Sequence, residues 1–359
     1  MSTMTLERET TGAAAWPPAA VRGRVVLRHW RDTGVLLWKR TTLLDAGDLD
    51  PGFTAPSAAF KKCLDVWRAS TTPSATHSYV SLVDVTSGGY IGIRDNDIVY
   101  VASSSKAGIM YPVVQLIHDI SVVEERVKPT TNAALYEAVR QQWAQDLVDA
   151  RVFGNVASAR VWIKSNGPKL ERCATLNPTT TITPELNGAL ERMVINSDDA
   201  GRNLCIELVG ETYITSVLSQ SGALRALRPL SWTSSTRALA ALITLAAKHK
   251  LVSPLHSMWM LSLLNASAAT VGTWTRDALT GKDGTGATRA FDEIAGKIGY
   301  LYGGSGSSWY DNVTVMADVS LVAKSPGKLY ALSFAIPFFG RVIRQRDLFP
   351  LIRAAHDCV

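Results

Sequence analysis

Ser103-Ser104-Ser105-Lys106 spells S-x-x-K shortly after two segments, Tyr79–Val85 and Tyr90–Ile93, that read as strands paired across Thr86-Ser87-Gly88-Gly89. A serine three residues ahead of a lysine, at a helix start, sets hydroxyl and amine on one helical face. There a neutral amine can take the hydroxyl proton. Alone, such a string is an ordinary helix start. Two later strings give it meaning. Asn196-Ser197-Asp198-Asp199-Ala200-Gly201-Arg202-Asn203 begins a helix, with a hydroxyl and carboxylates free to face a cleft or to cap that helix. Gly296-Lys297-Ile298-Gly299-Tyr300 opens a strand, where a lysine supplies positive charge and a glycine lets a substrate approach the backbone.

Outward from these strings the chain alternates between periodic segments and breakers. Residues 1–20 are rich in Thr, Ala and Pro and read as disordered, and Val25-Val26-Leu27 with Val35-Leu36-Leu37-Trp38 reads as a hairpin. Ala59, Phe60, Cys63, Leu64 and Trp67 recur at helical spacing over Ser57–Ala69. After Lys106 a helix runs towards Ile120 despite Pro112. The middle of the chain is then mostly helical: Ala133–Val148, Pro184–Val194, Asn203–Val209, Arg237–Lys248 and Pro254–Leu264. Residues 276–289 read as a Gly- and Thr-rich surface loop. Lys297–Tyr302, Val313–Ala323 and Leu329–Ile336 are strands, and Arg341–His356 closes the chain as a helix. Strands at both ends around a helical middle imply an α+β fold whose antiparallel sheet is assembled from both termini, with a helical subdomain at about 107–265.

Composition sets the class. The chain has 359 residues, 47% apolar and 19% charged, enough to bury a sizeable core. Its net charge of +6 comes from scattered basic residues without the aromatic interleaving of a nucleic-acid surface. Cys63, Cys173, Cys205 and Cys358 form no C-x-x-C pair, so no metal site or disulfide framework is expected, and free thiols in a reducing compartment fit. Met1–Ala20 carries Glu7 and Glu9 and lacks an apolar core of signal-peptide length, and no transmembrane stretch is found. The expectation is a cytoplasmic protein with no cofactor, no metal, and neither nucleic-acid nor membrane partners. His118, His249 and His256 fall on helices with no matching partner and read as structural. The Gly303–Ser308 run lacks the setting of a phosphate loop.

In their order, the three strings resemble the S-x-x-K, S-D-N and K-T-G signature of the serine β-lactamase and penicillin-binding-protein superfamily, in its class A-like branch. Their surroundings are similar as well. Val80-x-x-Val83-Asp84-x-x-x-Gly88 resembles the family's first strand pair, Met193–Asp199 with Asn203 its second motif, and Trp232–Arg237 the stretch after its Ω-loop. Tyr310-Asp311-Asn312 and Pro326-Gly327-Lys328 resemble its last hairpin. The resemblance covers the chain from about Ser57 onward and leaves residues 1–56 as an N-terminal extension. It implies Ser103 as acyl-accepting nucleophile, Lys106 as its base, and Ser197 as proton relay helped by Lys297. The backbone N–H groups of Ser103 and Tyr300 would form an oxyanion hole, and Asp199, Ile298 and Gly299 would meet the substrate.

The chain departs from that pattern at three places. Asp199 replaces the asparagine of the second motif; an ionised carboxylate only accepts hydrogen bonds, and it can hold Lys106 charged. Ile298 replaces the hydroxyl residue of the third motif. Between Leu218 and Thr236, where class A enzymes carry a deacylating glutamate, there is no Glu or Asp. The stretch from Lys106 to Ser197 is also longer than expected, with room for a lid or an interface in Ala133–Pro178. The expectation is therefore a serine acyl hydrolase or acyltransferase acting on a small or peptide-like ester or amide, and a poor β-lactamase. A catalytically degenerate binding or scaffold protein is the alternative. A cell-wall peptidase would need export, which the N-terminus does not suggest.

Overall fold

A computed structural model describes residues 52–149, 151–176, 182–221, 226–302, 313–337 and 345–359. The expected disorder of residues 1–20, the hairpin at 25–38, the Gly303–Ser308 run and Tyr310–Asn312 lie outside the described residues. The chain enters through α1 (Ala58–Lys61), a 3-10 turn (Lys62–Leu64), α2 (Asp65–Ala69) and α3 (Pro73–Thr76). The single three-turn helix expected there is thus broken at Lys62–Leu64. Strands β1 (Tyr79–Asp84) and β2 (Tyr90–Ile93) form the expected hairpin, followed by β3 (Val99–Tyr100) and a 3-10 turn at Ala102–Ser105.

The helical middle comprises α4 (Lys106–Val127), α5 (Asn132–Asp149), α6 (Val156–Asn166), α7 (Leu170–Cys173), α8 (Pro184–Val194), α9 (Asp199–Val209) and α10 (Glu211–Gln220). Strands β4 (Leu227–Arg228) and β5 (Thr233–Ser234) flank a 3-10 turn at Pro229–Ser231, and α11 (Thr236–Ala247), α12 (Pro254–Thr270) and α13 (Trp274–Leu279) follow. The expected loop at 276–289 therefore begins as the end of α13. Strands β6 (Glu293–Tyr302), β7 (Val313–Ser325) and β8 (Lys328–Pro337) precede α14 (Gln345–Cys358).

The sheet order is β2-β1-β8-β7-β6, all antiparallel, so strands from the start of the chain pair with strands from its end. Each face buries a separate core because strand side chains alternate. One face packs on α11 and α12, with α4 behind them in the same core, through Val83, Ile109, Val113, Leu239, Ala295, Ala317 and Val319. The other packs on α1–α3, α13 and α14 through Trp67, Leu82, Trp274, Ile298, Met316, Phe334 and Phe349. α4 is buried from Lys106 to Ser121 on all sides, as a central helix must be.

Local signals explain the helix starts. Thr183 caps α8 by accepting from Leu186 N–H at 3.2 Å, with Pro184 at the first helical position. Leu186, Leu190 and Met193 then fall on one buried face, each worth ~2 kcal/mol of apolar burial. Ser235 and Ser253 cap α11 and α12 in the same way.

One expectation is overturned by the packing of the two chain ends. α1–α2 and α14 lie together, and Cys63 and Cys358 are joined in a disulfide with Cα atoms 5.0 Å apart. Only Cys173 and Cys205 remain as free, buried thiols. The separation of 295 residues between Cys63 and Cys358 hid this pairing from a reading of spacing. Among the described residues no helix is long and apolar enough to cross a membrane.

Candidate functional site

The site forms where three segments meet: the turn before α4, the turn before α9, and the edge strand β6. Ser103 lies half-buried in the 3-10 turn, with Ser104 and Ser105 fully buried behind it. Ser104 Oγ donates to the Lys297 carbonyl at 3.0 Å and Ser105 Oγ to the Ala102 carbonyl at 2.8 Å. The first of these bonds ties the turn to β6. Gly299 makes the approach possible: a Cβ there would stand 2.3 Å from the Val101 carbonyl oxygen and 2.7 Å from the Ser104 nitrogen. Trp274 Nε1 donates to the Gly299 carbonyl at 3.2 Å from the opposite side, fixing the strand.

Lys106 is fully buried one helical turn after Ser103. Its Nζ donates to Asp199 Oδ1 at 2.6 Å and to the Ser197 carbonyl, linking α4 to α9. Burial pulls its pKa below the ordinary lysine value, and the hydrogen bond and charge of Asp199 oppose that shift. Asp199 is the exposed partner, its side chain 69% accessible. Asp198 does what the capping reading expects of it, accepting from the N–H groups of Ala200 and Gly201 at 3.0 Å each. Asp199, read from the sequence either as a cap or as a carboxylate that holds Lys106 charged, takes the second part.

Lys297 is also fully buried. Among the described residues its Nζ has no hydrogen-bond partner. Burial lowers its pKa to about 7, and the positive charge of Lys106 adds to the effect. Strand alternation sends Lys297 and Gly299 to the α4 side of the sheet and Ile298 to the other. Ile298, expected beside the substrate, is 1% exposed in the second core, paired with Asp318 across the ladder. β6 begins at Glu293, so the third string sits inside the strand and does not open it.

Tyr300, on the same strand, stands edge-to-face with the Trp274 ring at 6.2 Å. Three non-glycine residues at this junction hold left-handed backbone: Ala102 (φ 46), Ser197 (φ 58) and Trp232 (φ 59). Each costs about 1–2 kcal/mol, and such conformations collect at functional sites.

Two residues not singled out from sequence belong here. The Trp232 ring lies 5.5 Å from Lys106 Nζ, and the guanidinium of Arg202 lies 3.9 Å from its centroid. Arg202 is 6% exposed and donates through one terminal nitrogen to the carbonyls of Pro229 and Leu230, at 3.1 and 2.9 Å. The signal was present: an arginine three residues into a helix beside the site, and a tryptophan after a Pro-bearing turn. Nothing in the sequence says that they meet. A groove of about 530 Å³ between α8 and α9, lined by Glu185, Glu191, Arg192, Ile195 and Leu204, reaches Asn196 but includes none of the motif side chains.

Residues 170–335 match the family described as a β-lactamase enzyme family. A β-lactamase from Chitinophaga pinensis superposes with a TM-score of 0.50 at 13% identity, over 84% of this chain and 99% of that one. The fold is that of a β-lactamase. The TLA-1 extended-spectrum β-lactamase gives a TM-score of 0.51 at 10% identity, over 85% of this chain and 99% of its own. TLA-3 gives 0.51 at 9% identity, over 84% and 98%. No curated protein matches the sequence. The β-lactamase-like α+β fold expected from the motifs is thus observed. Identities this low speak to fold, and activity rests on the site itself.

Proposed function

We propose that this chain, with its β-lactamase-like domain at 57–359, is a serine acyl hydrolase or acyltransferase that works through an acyl-enzyme on Ser103. The observation that supports it best is the convergence of Ser103, Lys106, Ser197 and Lys297 at one junction, held by the Ser104–Lys297 and Lys106–Asp199 hydrogen bonds. Ser103 Oγ attacks an ester or amide carbonyl and loses its proton to an amine base, and the leaving group departs with a proton relayed through Ser197. The N–H groups of Ser103 and Tyr300 receive the oxyanion, a pair worth about 100-fold or more in rate. The buried Lys297 amine, its pKa lowered to about 7, suits proton traffic near neutral pH, and burial shifts Lys106 in the same direction.

The substrate is a small or peptide-like ester or amide other than a classical β-lactam. Asp199 cannot donate to a substrate carbonyl as an amide would. Ile298 offers no hydroxyl and faces away, and residues 218–236 offer no carboxylate to activate water. A second reading, a catalytically silent binding protein, is favoured by one contact: Lys106 Nζ is engaged by Asp199 and the Ser197 carbonyl. The Cys63–Cys358 disulfide fits an oxidising compartment better than the cytoplasm expected from the N-terminus.

The test is the intact mass of wild type and Ser103→Ala after exposure to a penicillin and to p-nitrophenyl acetate. A covalent adduct or ester turnover that disappears in the folded Ser103→Ala variant supports the acyl-enzyme. Equal turnover in the variant removes Ser103 as nucleophile, and no reaction in either selects the binding protein.

A further inference from the structure

We propose that Trp232, held by Arg202, shields acylated Ser103 from water, so that the acyl-enzyme is long-lived. This rests on the acyl-enzyme reading above. Trp232 is tied to the nucleophile turn, because its carbonyl accepts from the Val101 N–H at 2.9 Å, two residues ahead of Ser103. Its ring lies against Lys106 Nζ, on the helical turn that follows Ser103. The ring is not free to swing, since the neighbouring Arg202 guanidinium stacks at 3.9 Å and grips the backbone at Pro229 and Leu230. Arg202 is carried on the same helix as Asp199, so one element holds both the ring and the lysine partner.

The left-handed backbone of Trp232 shows that the fold accepts strain to keep an indole at this point. The chemistry agrees. Hydrolysis requires an O–C bond to form from water, the Ser103 Oγ–C bond to break, and a base to take the water proton. Residues 218–236 hold no carboxylate for that task, and the space against Lys106 is filled by an apolar ring. Trp232 is therefore a positioning and shielding residue, outside the reacting set.

The experiment follows the acetyl-enzyme made with p-nitrophenyl acetate by intact mass over time, beside the p-nitrophenolate burst, in wild type, Trp232→Ala, Trp232→Phe and Arg202→Lys. The expected result is an adduct half-life at least tenfold shorter in Trp232→Ala, close to wild type in Trp232→Phe, and shortened in Arg202→Lys, which keeps the charge but loses the planar fork. The adduct lifetime is read from the decay phase alone, apart from the burst that reports acylation, and the urea midpoint of each variant separates shielding from a general loss of structure. An adduct lifetime within twofold of wild type in Trp232→Ala overturns the shield while leaving the acyl-enzyme intact. Should Trp232→Ala fail to fold, an unchanged lifetime in Arg202→Lys overturns it equally. Absence of any adduct in wild type removes both readings together.

Discussion

Gly299→Ala tests how closely β6 must approach the nucleophile turn. The added Cβ would lie 2.3 Å from the Val101 oxygen and 2.7 Å from the Ser104 nitrogen, against ordinary contacts of about 3.5 Å. Both obstacles are backbone atoms, themselves hydrogen-bonded to each other at 3.1 Å, so no rotamer change relieves the clash. The strand and the turn must part by about 1 Å, at the overpacking cost of ~2–3 kcal/mol. Replacing glycine returns ~0.5–1 kcal/mol of chain entropy, leaving a net loss of ~2 kcal/mol. The displacement should also separate the Ser103 and Tyr300 N–H groups from their working positions and slow acylation about 100-fold. Urea unfolding gives the first number and the p-nitrophenolate burst rate the second. Gly188→Ala is the control: it lies inside α8 with nothing within 4 Å of the new Cβ, and should gain ~0.5–1 kcal/mol. A Gly299→Ala protein as stable as wild type, with a burst rate within threefold, would refute the close-approach argument.

Other consequences can be checked separately. Asp199→Asn removes the charge that opposes the downward shift of Lys106, so the amine should lose its proton at lower pH; the pH–acylation profile should move to lower pH, and an unmoved profile would show that Lys106 does not set it. His256 is buried edge-to-face with His118 at 4.9 Å, and burial lowers its pKa to about 3, so the folded state keeps it neutral. Unfolding then takes up a proton below about pH 6.5, and stability should fall with falling pH at up to about 1.4 kcal/mol per unit. His256→Asn should lose that slope between pH 7 and 5, measured by urea unfolding. Cys63→Ser should cost about 2–5 kcal/mol, since the disulfide closes nearly the whole domain; wild type in reducing agent should match it, and equal stability in all three would show the bridge to be unformed.

Much of this molecule is written in local sequence. Short runs rich in apolar residues, buried on both faces, specify strands at Tyr79–Asp84 and Tyr330–Pro337, Thr183-Pro184 and Ser235 start helices, and Asp198 caps α9 through N–H groups two and three residues away. These signals are legible because each interaction closes within a few residues. The order of three short strings was enough to point to the fold, since each places one chemical group at the start or edge of an element.

What the sequence could not decide are the contacts that close over long distances and the side to which a side chain turns. Lys106 and Asp199 are 93 residues apart, and only the packing of α4 on α9 makes that carboxylate a lysine partner and not a second cap. Ile298 looked like a substrate contact until its neighbours in the sheet set the face of each β6 residue, sending it into the far core. The Cys63–Cys358 bridge, the His118–His256 pair and the Arg202–Trp232 stack have no local period or spacing. They exist because burial brings distant groups together, and desolvation then decides which of those groups stay charged.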